Sequence, residues 1–463
     1  MERREVLRLI PLTIAGLASN PIKVFTQQKC GCPMHSSMLH ESLALQYLNK
    51  SMEMLQWIRE TQSENMLEAA YAIARTVKNN GKCWNCWDVG HSINADMFPG
   101  RNGEPEIFTK GYDMAQAQKG DLLLASLYQG KPEGIEDLIK KEIFLIAAPA
   151  PWGFDAKGQD LIDATGFQLY SLKPHARIWI ETNITTLDAV IQLPGMPAPI
   201  GPFSGIFGMV TFWMMMADTA RILARDGLSV KVKGDEPPIS GGNVKWASLD
   251  DPIMDSYFDE VIKQIQMIEG ELGNIQKVAK MAVDAVLSGG KVYCYSRYPE
   301  ALSTEAQTRR GGLALTNGTH EGDRNFKGTS KDVVIMGLSK PDDEIDLKNL
   351  DKFRSLGMKV ASMGPYTRDM KIPEGRTVPK EADIHVGRMC DTYGLFAVKG
   401  FEQKICPTSG AVLNQIFWAT CLEIAEQIIQ RTGNAPCVFY SGVVKGGIDH
   451  LRRMFEIYKE RGY

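Results

Sequence analysis

Apolar residues recur at helical spacing along the segment opened by Tyr47, at Leu55, Ile58, Met66, Ala69, Ile73 and Val77, and the pattern stops at Asn80-Gly81-Lys82. A second segment, opened by Tyr257, runs through Val261, Ile265, Ile275, Val278, Val283 and Val286 to Gly289-Gly290-Lys291. The two lie 209 or 210 residues apart, and each is followed by a short aromatic-rich strand, Cys83 to Trp87 and Val292 to Tyr295. The chain therefore reads as an internal duplication.

The far ends of the halves agree more closely. Gly195-Met-Pro-Ala-Pro-Ile-Gly-Pro-Phe-Ser-Gly205 aligns without a gap to Gly400-Phe-Glu-Gln-Lys-Ile-Cys-Pro-Thr-Ser-Gly410, and each runs into an apolar helix that stops at Asp226-Gly227 or Thr432-Gly433. Between these ends, strand candidates are Asp121 to Leu127, Ile143 to Ala148, Arg177 to Glu181 and Asp188 to Leu193 in the first half. Their counterparts are Asp332 to Leu338, Met358 to Met363, Ile384 to Val386 and Gly394 to Val398. Continuous apolar strands alternating with helices predict parallel sheets covered on both faces, in two α/β units. The expected layout is a leader over 1–35, a first domain over 36–232, a linker over 233–255 with Pro237, Pro238 and Gly241-Gly242, and a second domain over 256–435. Residues 436–463 supply a closing strand, Cys437 to Ser441, and a helix, Asp449 to Lys459.

Composition narrows the function classes. At 463 residues and 44% hydrophobic the chain can build sizeable cores, and 52 Lys and Arg against 55 Asp and Glu leave a net charge of -3. That charge argues against nucleic acid as a partner. No run reaches the roughly 20 apolar residues a membrane span needs, and the longest, Ile206 to Ala217, sits inside a helical pattern, so no membrane is expected for the mature form. Nine scattered cysteines do not form a disulfide framework, and Cys83-Trp-Asn-Cys86 lacks a matching second pair, so core cysteines are favoured and no metal is expected. The run Trp213-Met214-Met215-Met216 reads as helix core. At the amino end, Arg3-Arg4 precedes an apolar stretch ending in Gly16-Leu17-Ala18, which looks like a twin-arginine export signal with a mature start near Ser19. The expected location is exported or periplasmic; an ordinary amphipathic first helix in a cytoplasmic protein is the alternative.

Ligands of open parallel sheets sit beyond the carboxyl ends of the strands, so the residues there are the candidates for chemistry. Gly90-His91-Ser92 follows the first strand, and Pro407-Thr408-Ser409-Gly410 opens a long helix, where a helix cap is the ordinary reading. Together with Gly400-Phe-Glu-Gln-Lys-Ile-Cys-Pro-Thr-Ser409 and Cys437-Val-Phe-Tyr-Ser-Gly-Val-Val-Lys-Gly-Gly-Ile-Asp-His450, these residues resemble the sugar isomerase (SIS) domain, and in particular a bacterial branch of uncharacterised SIS proteins. Thr304-Glu305 followed by Arg309-Arg310-Gly311-Gly312 resembles the glutamate and arginine-glycine-glycine segment of that branch. The resemblance covers Tyr47 to Tyr463 as two copies. It implies two tandem SIS-like α-β-α sandwiches, each with a mostly five-stranded parallel sheet, and a sugar or sugar phosphate as small-molecule ligand in a cleft between them. It also implies proton transfer between neighbouring carbons through an enediol, with no cofactor.

Such proton transfer needs a base held within reach of the carbon acid and a donor for the carbonyl oxygen. Glu305, Glu402, His91 and His450 are the catalytic candidates. Each has an ordinary reading too: Glu305 as a solvated helix residue, Glu402 as a loop partner of Lys404, His91 as a cap, His450 as a packed tail residue. Substrate-binding candidates are Ser92, Ser126, Arg309, Ser339, Lys404, Thr408 and Ser409. The phosphate loop of the family is thin here, with Ser126 alone in Ala125-Ser-Leu-Tyr-Gln-Gly130 and Ser339 alone in Gly337-Leu-Ser-Lys-Pro341. With the export signal, this points to an unphosphorylated or otherwise modified sugar. The first copy reads Pro197-Ala-Pro199 and Phe203 where the second has Glu402, Lys404 and Thr408, so the halves are expected to do different jobs. An aldose-ketose isomerase is the leading reading. A non-catalytic sugar-binding regulator and a sugar lyase or etherase are the alternatives. The duplication can replace the dimer that single SIS domains form, and the apolar helices would equally support a homodimer.

Overall fold

The computed structural model of the protein describes residues 41–87, 102–110, 115–126, 135–148, 173–182, 184, 188–193, 196, 198–234, 238–239, 244–297, 301–306, 310–324, 326–365, 374–388, 394–440 and 446–463. The Arg3-Arg4 leader, His91, Ser92 and Arg309 lie outside the described residues.

The first half opens on α1, Leu43–Lys78, with the Ser42 hydroxyl accepting from Leu45 N at 3.3 Å as its cap. No Gly or Pro interrupts its 36 residues. It stops where Asn80 takes a positive φ of 58°, and the turn packs so closely that a Cβ on Gly81 would stand 2.4 Å from the Gly120 carbonyl oxygen. After it come β1 Cys83–Trp87, β2 Glu104–Pro105, β3 Phe108–Lys110, β4 Leu122–Ser126, α2 Ile135–Lys140, β5 Phe144–Ala148, β6 Ile178–Trp179, β7 Ala189–Ile191, β8 Ile200–Pro202, α3 Ser204–Arg225 and β9 Val232–Lys233. The second half repeats the plan: α4 Met254–Met267, a 3-10 segment Ile268–Glu271, α5 Leu272–Leu287, β10 Val292–Ser296, α6 Ala301–Glu305, β11 Thr316–His320, β12 Val333–Gly337, α7 Glu344–Ser355, β13 Lys359–Pro365, α8 Val378–Glu381, β14 Ile384–Arg388, α9 Ser409–Thr432 and α10 Gly447–Arg461.

Each half builds one five-stranded, all-parallel sheet, in the orders β3-β1-β4-β5-β6 and β11-β10-β12-β13-β14. Alternate strand residues face two layers. Leu122, Leu124, Ile146, Val333, Ile335 and Met363 point into one apolar core that runs without interruption through α1, α3, α4, α5 and α9 of both halves. Leu123, Ala125 and Leu145 face a smaller outer layer on one sheet, and Val334, Met336 and Val360 face its equivalent on the other. By length and apolarity α3 would pass for a membrane span, yet its apolar window is wholly buried among these helices, with Trp213, Met214 and Met216 at 0% exposure.

The halves clasp each other reciprocally. Asp218 on α3 accepts from Met254 N at 3.0 Å at the start of the second half's α4, and Glu426 on α9 accepts from Leu43 N at 2.9 Å at the start of the first half's α1. Gly201 N donates to Gly311 O at 3.1 Å, and Cys406 N donates to Gly103 O at 3.0 Å.

Four expected elements come out differently. Asp188 to Leu193 is no sheet strand: β7 pairs antiparallel with β8 outside the sheet, because Asp188 turns back to bond Ser204 at the head of α3. Gly394 to Val398 is its counterpart and makes only isolated bridges, Phe396 to Ile405 and Ala397 to Trp246. The fifth strands are instead β3 and the polar β11, edge strands paired on one side only. Of the expected strand Cys437 to Ser441, the described residues Cys437 to Tyr440 hold a single bridge, Val438 to Leu313. The second half's long helix is broken at Ile268–Glu271.

Candidate functional site

In both sheets the chain leaves the first strand toward one edge and returns on its other side, so the crevice opens at the carboxyl ends of β1 and β4 and of β10 and β12. In the second half these ends are described in detail. Ser296 closes β10, and its hydroxyl lies 2.8 Å from the Ser303 hydroxyl on α6. Arg297 pairs with Asp343, whose carboxylate also accepts from Ile345 N at 2.9 Å and Asp346 N at 3.2 Å to cap α7. Ser339 follows β12 and is half-buried. A side chain at Gly337, just before it, would meet Leu302 of α6 and Leu413 of α9 at 3.0 and 3.1 Å, so glycine lets these elements close on the strand end.

Glu305, the last residue of α6, is 1% exposed. Its Oε2 accepts from Trp418 Nε1 on α9 at 3.2 Å. From the other half comes Tyr47 of α1, fully buried, its hydroxyl donating to Pro202 O at 2.7 Å. Burial holds the Tyr47 phenol well above its ordinary pKa, and the negative charges of Glu305 and Asp188 push the same way against a bond from Ser51. The phenol therefore stays protonated, its proton held by Pro202 O. Asp188 in turn accepts from Ser204 N at 2.9 Å and the Ser204 hydroxyl at 2.7 Å. The segment after Glu305 is fixed across the junction: Gly311, at φ 72°, packs against Ala189 so tightly that a Cβ would lie 2.4 Å from the alanine methyl, and Gly311 N donates to Phe439 O at 2.9 Å.

The other candidates are spread out. Thr408 occupies the cap position of α9, but its buried hydroxyl donates to Gln264 Oε1 at 2.8 Å instead of capping, and Ser409 is buried beside it. Glu402 and Lys404 are exposed, with the Glu402 carbonyl accepting from Ile239 N at 2.7 Å. His450 lies on α10, its ring 4.7 Å from that of Tyr440. Burial and Arg453 lower its pKa, against a bond with the Val438 backbone. Ser126 ends β4, its side chain outside those described. Among the described residues no cluster of His, Cys, Asp or Glu could hold a metal ion.

Sequence reasoning passed over Tyr47, Trp418, Arg297 and Asp343 as site residues. For Tyr47 and Trp418 a signal existed. Tyr47 and Tyr257 open equivalent helices, and Phe212-Trp213 and Phe417-Trp418 recur at the 205-residue offset of the Ser-Gly motifs. Tyr257 OH donates to Pro407 O at 3.1 Å as Tyr47 does to Pro202.

The resemblance in sequence implied a five-stranded parallel sheet in each of two copies, and the two identical strand orders are that arrangement. The fold is two SIS-like units in tandem. No family model matches the chain. A UPF0309 protein of Geobacillus kaustophilus is 22% identical over 244 residues, a match that covers 45% of this chain and 95% of the relative. Less than half of the tandem SIS-like chain thus accounts for nearly all of the relative, the proportion expected of a duplicated unit. Among solved structures, a candidate phosphosugar isomerase of Clostridium difficile 630 has 9% identity and a TM-score of 0.48, covering 87% of this chain and 97% of its own. The C-terminal domain of glucosamine-fructose-6-phosphate aminotransferase from Francisella tularensis has 10% identity and a TM-score of 0.46, covering 87% and 99%. These scores describe a similar general layout and no more.

Proposed function

We propose that the protein acts on a sugar or sugar derivative at the junction of its SIS-like halves, with Glu305 as the base that moves a proton between neighbouring carbons. The observation that carries this reading is the burial of the Glu305 carboxylate, 1% exposed and bonded by the Trp418 indole, with the buried Tyr47 of the other half within reach of its charge. A carboxylate shielded from water and bonded by the Trp418 indole N–H has the setting that general base catalysis uses. In the reaction, Glu305 takes the proton from C2 of an open-chain aldose. The C2–H electron pair forms the enediol double bond as the carbonyl oxygen gains a proton; the C2 hydroxyl then gives up its proton, offsetting the one gained at O1, as its O–H pair becomes the C2 carbonyl and the enediol electrons take the carboxyl proton back at C1 to give the ketose. Exposed Glu402 lacks this setting. The loop Gly337-Leu-Ser-Lys-Pro341 after β12 carries Ser339 as its single hydroxyl, in line with an unphosphorylated or modified sugar.

A second reading, a sugar-binding regulator without turnover, draws on the same burial, because a fully sealed carboxylate also suits a sensor that closes on its ligand. Proton NMR in deuterated water with a panel of hexoses, hexosamines and their phosphates separates the two. Loss of the signal beside the carbonyl, falling by about 10²- to 10⁴-fold in rate in Glu305→Gln, is expected for the isomerase. Exchange unchanged in Glu305→Gln overturns the assignment, and ligand line broadening with no exchange in either protein establishes the sensor.

A further inference from the structure

A cavity of about 350 Å³ lies where the closing helix α10 meets the tail Ala435–Val438 and the first-half residues Met196 and Ala198. One face of α10 forms its wall, with His450, Arg453, Met454, Ile457 and Arg461 at spacings that share a helical stripe. The middle of the stripe is apolar, and Val438, Met196 and Ala198 face it from the other sides. Its two ends carry exposed arginines, about 12 Å apart along the helix. Among the described residues Arg453 and Arg461 pair with no carboxylate, whereas the neighbouring Arg452 bonds Asp449 at 3.2 Å. Both are felt inside the pocket: Arg453 lowers the pKa of His450, and Arg461 opposes the rise that burial imposes on Cys437.

We propose that this cavity is a binding site for a small organic carboxylate with an apolar body, its charge taken by Arg453 or Arg461 and its chain or ring laid over Met454, Ile457 and Val438. Two unpaired cations flanking an apolar wall complement that chemistry, and the cavity is of the size that small ligands occupy. A polyol would leave the hydroxyls laid over Met454, Ile457 and Val438 without partners, so the site is distinct in chemistry from the sugar site proposed at Glu305. It is also placed to influence that site. The tail that lines it is bonded to the segment after Glu305 through Ala314 N to Cys437 O and Phe439 N to Gly312 O, both at 2.9 Å.

Hexanoate, 1-hexanol and glucose 6-phosphate, each titrated into the full chain by saturation-transfer NMR and calorimetry, test the proposal without reading turnover. Hexanoate is expected to bind at least about tenfold more tightly than hexanol. Arg453→Gln and Arg461→Gln are each expected to weaken it, and the double variant to abolish its binding with circular dichroism and melting unchanged. Glu305→Gln should bind hexanoate as the parent does, so failure of the isomerase reading leaves this result untouched. No saturation transfer from millimolar hexanoate, equal binding of hexanol, displacement by glucose 6-phosphate, or undiminished binding in the double variant would overturn it.

Discussion

The two halves agree where strands begin, and their sequences part company in the segments that lead into α3 and α9. At the amino ends, Asp121 accepts from Lys82 N at 2.8 Å and Gln118 N at 3.1 Å, and Asp332 accepts from Lys291 N and Thr329 N, both at 2.7 Å. Gly81 and Gly290 face the backbone of Gly120 and Lys331 in the same way. Gln62 of α1 accepts from Glu181 N at 2.9 Å beyond β6, and Glu271 accepts from Gly387 N at 3.3 Å on β14. The long helices then differ. From Tyr47 to Gly81 the first half has one more residue than the second has from Tyr257 to Gly290. The 3-10 turn at Ile268–Glu271 rises about 2.0 Å per residue against about 1.5 Å in an α-helix, and its four residues restore the missing length. Changing local helix type thus preserves the span of the helical segment, while the segment before the last long helix of each half was free to diverge, as Pro197-Ala-Pro199 against Glu402-Gln-Lys404 shows.

The sharpest way to break this equivalence is at the aspartate clips. Asp121→Ala strands two backbone N–H groups and the Trp84 indole, bonded at 3.0 Å, and should cost about 3–5 kcal/mol in urea unfolding. Asp332→Ala strands two backbone N–H groups and the Thr329 hydroxyl, bonded at 2.9 Å, and should cost somewhat less, because the freed hydroxyl can turn to water. Equal costs would mean that the indole bond is worth no more than that hydroxyl bond. Gly290→Ala drives a methyl to 2.1 Å from the Lys331 carbonyl oxygen, where backbone must move, and about 1–3 kcal/mol should be lost. A neutral outcome would deny that the helix-to-strand turn is tightly packed. Gly270→Ala probes the helix break. A Cβ there meets nothing within 4 Å and its φ is not positive, so stability should rise by about 0.5–1 kcal/mol; a loss would show that the 3-10 turn needs glycine.

The smallest expected effect concerns Glu423, which stands where Asp218 stands in the first half. Asp218 is satisfied by Arg221 and Met254 N, but one carboxylate oxygen of Glu423 has no hydrogen bond. Burial, aided by Glu426, raises the Glu423 pKa. Below the ordinary glutamate value both folded and unfolded chains hold the proton, and no penalty arises. Above it the unfolded chain ionises first, so stability falls as pH rises toward the folded value. Glu423→Gln should therefore melt like the parent in acid and higher near neutral pH, measured by melting temperature against pH; parallel curves would remove the assignment.

Much of the scaffold was legible in the chain. The repeat offsets, the apolar strands β4, β5, β12 and β13, and the core placing of Trp213-Met-Met-Met216 all follow from hydrophobic periodicity, because burial on one or two faces leaves that signature directly in the order of residues. Edge strands left a weaker mark. Thr316-Asn-Gly-Thr-His320 pairs on one side only, so only Thr316 and Thr319 are buried and its composition is polar. At the site, the resemblance singled out Glu305, but nothing local told its surroundings from those of Glu402.

What the sequence determined by itself is therefore the duplication, the two α/β units and the short list of groups able to do proton chemistry. Tertiary structure decided which carboxylate is enclosed, since Glu305 meets Trp418 113 residues away and feels Tyr47 from the other half. It also decided that His450, Arg453 and Arg461 line a cavity with Met196. Periodicity records only whether a position is buried. What it is buried against depends on how two sheets and their shared helices pack, and that is a property of the whole chain.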